Sequence, residues 1–116
     1  LGQGTPEVVS GLLAALRDSN NFGRRLEVKS LGQWGQGTPE AVAGLLAALR
    51  DSDGGVRWSA AQSLGQLGKR NRTARQKIIS HVLAELEGSG AVNDEAYTVL
   101  LQLAALGNDD KPAGRV

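Results

Sequence analysis

Apolar residues recur along this chain at the spacing of an amphipathic helix, and the clearest stretch lies in the middle of the sequence. It opens with Thr38-Pro39-Glu40: a hydroxyl that can cap a helix, a proline tolerated in the first turn, and a carboxylate near the positive helix end. Four apolar residues follow at helical spacing: Val42, Leu45, Leu46 and Leu49. The pattern predicts a helix over residues 38–51.

This stretch belongs to an internal repeat. Leu1–Gln33 aligns with Trp34–Gln66 without a gap, and 21 of the 33 positions are identical. Each copy contains a capped apolar helix, a turn and a second helix. The first copy predicts helices over residues 6–17 and 22–33, and the second over 38–51 and 56–67. A helical hairpin of this size cannot bury its apolar faces alone, so it must stack on further copies.

The second helix has two contrasting faces. At 100° per residue one sector is apolar, and its members are Val56, Ala60, Leu64 and Leu67. The opposite sector consists of Trp58, Gln62, Gly65 and Gln66. We interpret the first as core and the second as an open face. Between Asn20 and Lys29 the first copy is identical to the second only at Arg24. The second helix of the first copy is therefore either frayed or varied for contact with a partner.

A third, degenerate copy begins at Leu67. A basic connection is predicted over residues 69–77, with five cations and no acid: Lys69, Arg70, Arg72, Arg75 and Lys77. One helix then carries the apolar residues between Ile78 and Leu86, and a last one, capped at Asn93, ends at Leu106. The sequence therefore predicts an all-α solenoid of about three hairpins, or six helices, in units 1–33, 34–66 and 67–107. The tail over 108–116 is predicted to be disordered.

Composition narrows the chemistry. The 116 residues carry a net charge of +1 and no cysteine, which excludes disulfides and thiolate metal sites. The single histidine, His81, rules out a histidine metal cluster. No apolar run approaches the ~20 residues of a membrane span. We therefore expect a cytoplasmic protein with no cofactor, no metal and no membrane partner.

The ends of the chain resemble the interior of a repeat array. Leu1-Gly2 matches Leu67-Gly68 at the end of a unit, so we expect the chain to be cut from a longer array. Its last predicted helix is apolar around nearly its whole circumference. Because capping repeats normally have a polar outer face, we expect the uncapped ends to self-associate.

The segment TPEAVAGLLAALRDSDGGVRWSAAQSLGQLG resembles the bacterial HEAT repeat, also called the phycobilisome-lyase-like repeat. The resemblance covers the first two units closely and the third in outline. In such repeats an aspartate in the turn and an arginine in the second helix form a hydrogen-bonded ladder between neighbouring units. The resemblance implies this structural role for four residues: Asp18, Arg24, Asp51 and Arg57. Gly23 replaces Val56 and the third unit lacks the Val-Arg pair, so the ladder is expected to weaken at both ends.

In families of this kind the second helices line the concave, ligand-facing surface. Aligning the units on their terminal glycines places six residues there in two rows: Arg25, Trp58 and Tyr97, then Lys29, Gln62 and Leu101. An exposed tryptophan beside arginine and tyrosine is typical of a protein-binding hot spot. Alternatively, Trp58 covers the seam between hairpins.

Three functions compete. The first is a non-catalytic module that binds a protein or peptide on the concave face. Similarity to the repeat arms of signal-transducing NTPases implies a sensor segment of a bacterial signalling or conflict protein. The second is contact with nucleic-acid phosphates through Lys69–Lys77, although residues 78–110 carry six acids and no lysine or arginine. The third, a lyase acting on a bilin, is suggested only by the other name of the repeat. The chain has no cysteine nucleophile, and His81 is explained by the edge of the third core, so we predict that it is not an enzyme.

Overall fold

A computed structural model describes residues 20–34, 37–90 and 92–106, and all regular structure within these ranges is α-helical. The five described helices are α1 (Asn21–Trp34), α2 (Pro39–Ala48), α3 (Gly54–Arg70), α4 (Arg72–Ser89) and α5 (Asp94–Leu106). The helix predicted over residues 6–17, the tail over 108–116 and Asp18 lie outside the described residues. Within the part of the chain that is described, no helix is both long and apolar enough to cross a membrane.

Each described helix begins at a side chain that accepts a hydrogen bond from a backbone N–H three residues later. These pairs are Asn20 with Gly23 at 2.8 Å, Thr38 with Ala41 at 3.2 Å, Asp53 with Val56 at 2.9 Å, Asn71 with Ala74 at 2.9 Å, and Asn93 with Ala96 at 2.9 Å. Such caps satisfy N–H groups that have no partner inside the helix. At the other end of α4, Gly90 adopts a left-handed conformation with φ of 80°, which glycine reaches without steric cost.

The helices form two layers. In one layer α3 lies between α1 and α5, and α1 and α5 do not touch each other. In the other layer α2 packs against α4, and both contact α3. α3 therefore contacts each of the four other described helices and is the centre of the fold.

The core lies between the two layers and is aliphatic. Its large members with no more than 1% exposure include Leu31, Leu45, Leu64, Leu67, Ile78 and Leu103. They come from all five helices, and each lies on the apolar stripe of its helix. Fully burying one such side chain contributes roughly 1.5–3 kcal/mol, so this seam holds the two layers together.

The predicted basic connection over residues 69–77 is wrong. α3 continues to Arg70, α4 begins at Arg72, and Asn71 alone separates them. Asn71 ends one helix and caps the next, which makes a longer linker unnecessary. Lysine, arginine and glutamine also have good helix propensity, so the charge run offered no obstacle to helix formation.

Candidate functional site

The surroundings of α3 show which of its faces is open. Its inner side packs on α2 and α4 with residues that are no more than 1% exposed: Val56, Ala60, Leu64 and Leu67. This confirms the apolar sector expected from the helical wheel. The other sectors of α3 meet α1 on one side and α5 on the other.

α1 packs very closely on α3. The hydroxyl of Ser63, which is 3% exposed, donates to the backbone carbonyl of Val28 at 2.9 Å. About two turns further along α3, Arg70 Nη2 donates to the carbonyl of Gly32 at 3.0 Å. A Cβ added to Gly32 would lie 2.8 Å from Ser63 Cα. The two helix backbones therefore approach each other at a point where only glycine fits.

The opposite side of α3 faces α5. A Cβ on Gly65 would lie 2.9 Å from Gln102 Oε1, and one on Gly68 would lie 2.6 Å from a methyl group of buried Leu103. Gly65 was predicted on the open face, but the side chain of Gln102 covers it. The wheel gives the direction of a residue around its helix and contains no information about where a neighbouring helix lies.

The remaining sector of α3 points away from all of its described neighbours. It contains Trp58, which is 52% exposed, and the exposed side chains of Gln62, Gln66 and Lys69. On α1, Arg25 and Lys29 are exposed; on α5, Tyr97 is 48% and Leu101 53% exposed. We call the six residues Arg25, Lys29, Trp58, Gln62, Tyr97 and Leu101 the open face. All six are exposed side chains on three adjacent helices of one layer.

Sequence reasoning missed two further apolar side chains on α1. Phe22 is 62% exposed and Leu26 is 49% exposed. They lie one helical turn apart, on positions that the buried pair Val28 and Leu31 leaves outside the core. The sequence did contain a signal for them. Two apolar residues four positions apart lie outside the core stripe, in the segment where the two copies differ.

The two arginines assigned to a ladder each join one unit to the next. Arg24 on α1 donates to both carboxylate oxygens of Asp51, in the turn before α3. The distances are 2.8 Å from Nε to Oδ2 and 2.9 Å from Nη2 to Oδ1. Asp51 Oδ1 also accepts the backbone N–H of Asp53 at 2.9 Å. Burial raises the pKa of the Asp51 carboxyl, but these hydrogen bonds outweigh that effect and hold its pKa below the ordinary range.

The second rung uses an acid that was not predicted. Arg57 Nη1 donates to the backbone carbonyl of Asp51 at 2.8 Å, and its Nε donates to Glu95 Oε1 on α5 at 3.3 Å. Glu95 comes from the first turn of a helix, so the spacing of the turn aspartates could not identify it. The rung at α1 is bidentate and shorter, which differs from the weakening expected there. Asp18 lies outside the described residues.

The five basic residues between Lys69 and Lys77 do not form one cationic surface. Arg75 is 6% exposed, and its Nη1 donates to the carbonyl of Gly68 at 2.8 Å, while Arg70 binds the end of α1. Lys69, Arg72 and Lys77 are exposed, but they are divided between two helices. The hydrogen bonds of Arg70 and Arg75 thus hold helix ends together.

His81 is an exposed side chain, where a position at the edge of a core was expected. Its Nε2 lies 3.3 Å from Glu85 Oε2, which Arg50 Nη1 also contacts at 3.2 Å. Arg50 and Glu85 line a shallow cleft between the end of α2, α4 and the start of α5, and Glu85 is the one carboxylate among its lining residues. Among the described residues, no group of three or more acidic, histidine or cysteine side chains is placed to hold a metal ion.

Comparison with known proteins gives one result. A family model described as HEAT repeats matches residues 9–87, which is more than half of the chain. Neither curated proteins nor solved structures give a significant match.

Proposed function

This chain belongs to the HEAT-repeat family, and we propose that it is a non-catalytic module that binds another protein on the open face. HEAT repeats commonly mediate protein–protein interaction. The family alone does not identify a surface. The observation that carries the proposal is that Trp58, Tyr97 and Leu101 are about half exposed on adjacent helices, whereas the other sectors of α3 pack on neighbouring helices.

The energetics favour this surface. Tryptophan and tyrosine are enriched among residues that dominate binding energy. A partner that covers the exposed half of Trp58 removes roughly 100 Å² of largely apolar area from water, which corresponds to about 2–3 kcal/mol. Gln62 lies one turn after Trp58 and can both donate and accept hydrogen bonds, so it suits a partner with a polar backbone.

In its finer form, the proposal is a solenoid of about six helices in three hairpins, of which the described helices form the second to the sixth. It extends to a cytoplasmic sensor segment of a larger bacterial signalling protein, with the chemistry of that protein in other domains. The support for this extension is the resemblance of the repeats to the arms of signal-transducing NTPases.

The test is affinity capture from source-cell lysate with a photo-crosslinking residue at Gln62, with and without nuclease. The double variant Trp58→Ala, Tyr97→Ala should lose the captured protein. Leu83→Ala is the matched control, because Leu83 is 40% exposed on α4 in the other layer, and it should capture normally. Capture that is unchanged in the double variant would refute the open face as the binding surface.

Nucleic-acid binding is the alternative, through the exposed cations Lys69, Arg72 and Lys77. It predicts recovery of nucleic acid in the same experiment, with a steep loss on added salt and no effect of the aromatic substitutions.

A further inference from the structure

The aromatic residues of this protein are distributed in an unusual way. The chain has four aromatic side chains, and three of them, Phe22, Trp58 and Tyr97, are 62%, 52% and 48% exposed. Each lies near the amino-terminal end of a different helix of one layer: α1, α3 and α5. Among the residues whose side chains the structure describes, the buried hydrophobic core contains only aliphatic side chains. Aromatic residues usually supply much of a core, so here they are available for a partner.

The spacing of this aromatic row restricts the shape of a ligand. Packed helices lie 8–10 Å apart, so a ligand that crosses α1, α3 and α5 meets one aromatic side chain about every 8–10 Å. A chain in the polyproline II conformation advances about 3.1 Å per residue and has three residues per turn, so its residues i, i+3 and i+6 lie on one side. Every third residue of such a chain therefore reaches the next helix. A helical ligand rises only 1.5 Å per residue and would need about six residues for each step.

The exposed charges beside the row are basic on α1 and α3, whereas α5 carries an exposed acid, Asp94, one turn before Tyr97. The ionisable side chains on the outward stripes of α1 and α3 are Arg25, Lys29 and Lys69, and none of them is acidic. Arg25 is held by Asp53, 3.7 Å away. Lys29 and Lys69 are exposed and make no hydrogen bond or ion pair with the described residues. This surface therefore complements a segment that carries its carboxylates over α1 and α3 rather than over α5.

We propose that the ligand of the open face is an acidic protein segment in the polyproline II conformation that runs across α1, α3 and α5. It carries apolar residues at positions i, i+3 and i+6, which pack on Phe22, Trp58 and Tyr97. At least one aspartate or glutamate beside the first of these residues pairs with Lys29. This inference rests on the proposed function and specifies the chemistry and conformation of the partner.

The experiment is selection of a random 12-residue displayed-peptide library on the whole chain. Enriched peptides should carry apolar residues three apart together with an excess of Asp and Glu. For a synthetic peptide of the enriched sequence, Trp58→Ala should weaken binding by tenfold or more. Moving one apolar residue by a single position should weaken binding similarly.

Charge reversal supplies the matched control. Lys29→Glu should weaken the peptide about three- to tenfold, and added salt should reduce the difference. Lys77→Glu reverses the charge of an exposed side chain on α4, in the other layer, and this variant should bind the peptide like the wild type. Equal effects of the two reversals would overturn the proposed contact.

Three further outcomes would overturn the inference. They are enrichment of neutral or basic peptides, enrichment of peptides with apolar residues at helical spacing, and enrichment no greater than that obtained with the Trp58→Ala variant as the target. Binding of a 15-nucleotide single-stranded DNA that Lys29→Glu abolishes would assign the charge to phosphate recognition. If neutral peptides are enriched and Trp58→Ala removes them, the proposed function stands while the acidic partner fails.

Discussion

Replacing Gly32 by alanine tests whether the close contact between α1 and α3 sets the spacing of the open face. The added Cβ would lie 2.8 Å from Ser63 Cα and nearer still to the Ser63 side chain. Carbon atoms in contact are normally about 3.5–4.0 Å apart. The two helices must therefore separate by about 1 Å, since a helix backbone cannot rotate away as a side chain can.

The net effect is a balance of three contributions. Alanine in place of glycine in a helix stabilises by about 1 kcal/mol. Overpacking costs about 1–3 kcal/mol. A separation of 1 Å would also weaken the hydrogen bonds from Ser63 to Val28 and from Arg70 to Gly32, now 2.9 and 3.0 Å, at about 1 kcal/mol each. We expect Gly32→Ala to lower the free energy of unfolding by roughly 2–4 kcal/mol.

Two other glycines are matched controls. Gly65 occupies the same repeat position as Gly32, 33 residues later, but its Cβ would meet the far end of Gln102. That side chain is exposed and can rotate, so Gly65→Ala should be neutral or stabilise by up to about 1 kcal/mol. Gly88, near the end of α4, has no neighbouring atom within 4 Å of an added Cβ, and Gly88→Ala should stabilise by about 0.5 kcal/mol.

Urea denaturation followed by far-ultraviolet circular dichroism measures all three differences, with the m-value as a check that the transition is unchanged. The double variant Gly32→Ala, Ser63→Gly should recover part of the loss, since it removes the atoms nearest to the new Cβ. A urea midpoint for Gly32→Ala that is raised as much as that of Gly65→Ala would refute the reasoning.

Three other predictions follow from the polar contacts. The pKa of the Asp51 carboxyl is lowered in the folded protein, so its contribution to stability is present above pH about 4 and is lost as the pH falls through the folded pKa. The stability difference between wild type and Asp51→Asn should therefore shrink on acidification below that pH. A difference that is constant from pH 7 to pH 2 would contradict this prediction. Asn93 both caps α5 and donates to the Leu49 carbonyl at 2.8 Å, so Asn93→Ala should lower the free energy of unfolding by about 1–2 kcal/mol. Asn93→Asp should lower it less, because the aspartate keeps the cap. Equal losses in urea titrations would show that the cap contributes nothing. Arg75→Met should lower the free energy of unfolding by about 1–3 kcal/mol, because it removes a buried donor to a carbonyl. Lys77→Met, at an exposed site, should change it by no more than about 0.5 kcal/mol. Similar effects of the two substitutions would contradict a structural role for the buried Arg75 side chain.

Most of the helices could be predicted from local signals. The apolar stripes identified the core sides of α2 and α3, and Thr38 and Asn93 cap helices where the sequence indicated. These features depend on residues within a few positions of one another, so a single sequence contains them. Helix ends were less accurate: α3 begins two residues before the predicted start at Val56 and continues three residues beyond the predicted end at Leu67.

The exposure of the six open-face residues agrees with the wheel and the repeat register, whereas other features of the same surface needed the neighbouring helices. Phe22 escaped notice because its exposure depends on the part of α1 that the core covers. Gly65 was assigned to the wrong side because Gln102 of another unit closes over it. Positions on a helix are local, but coverage by another helix is not.

The sequence by itself determined that this protein is a repeat of helical hairpins with an aliphatic core, because periodicity and capping act within single helices. The tertiary structure alone decided that Arg57 pairs with Glu95, that Arg75 is buried, and that Phe22 remains exposed in the layer of Trp58 and Tyr97. The physical reason is that an ion pair or a buried sector forms only when two helices meet at a given distance and angle. Residues 38 positions apart, such as Arg57 and Glu95, acquire that relation only through packing.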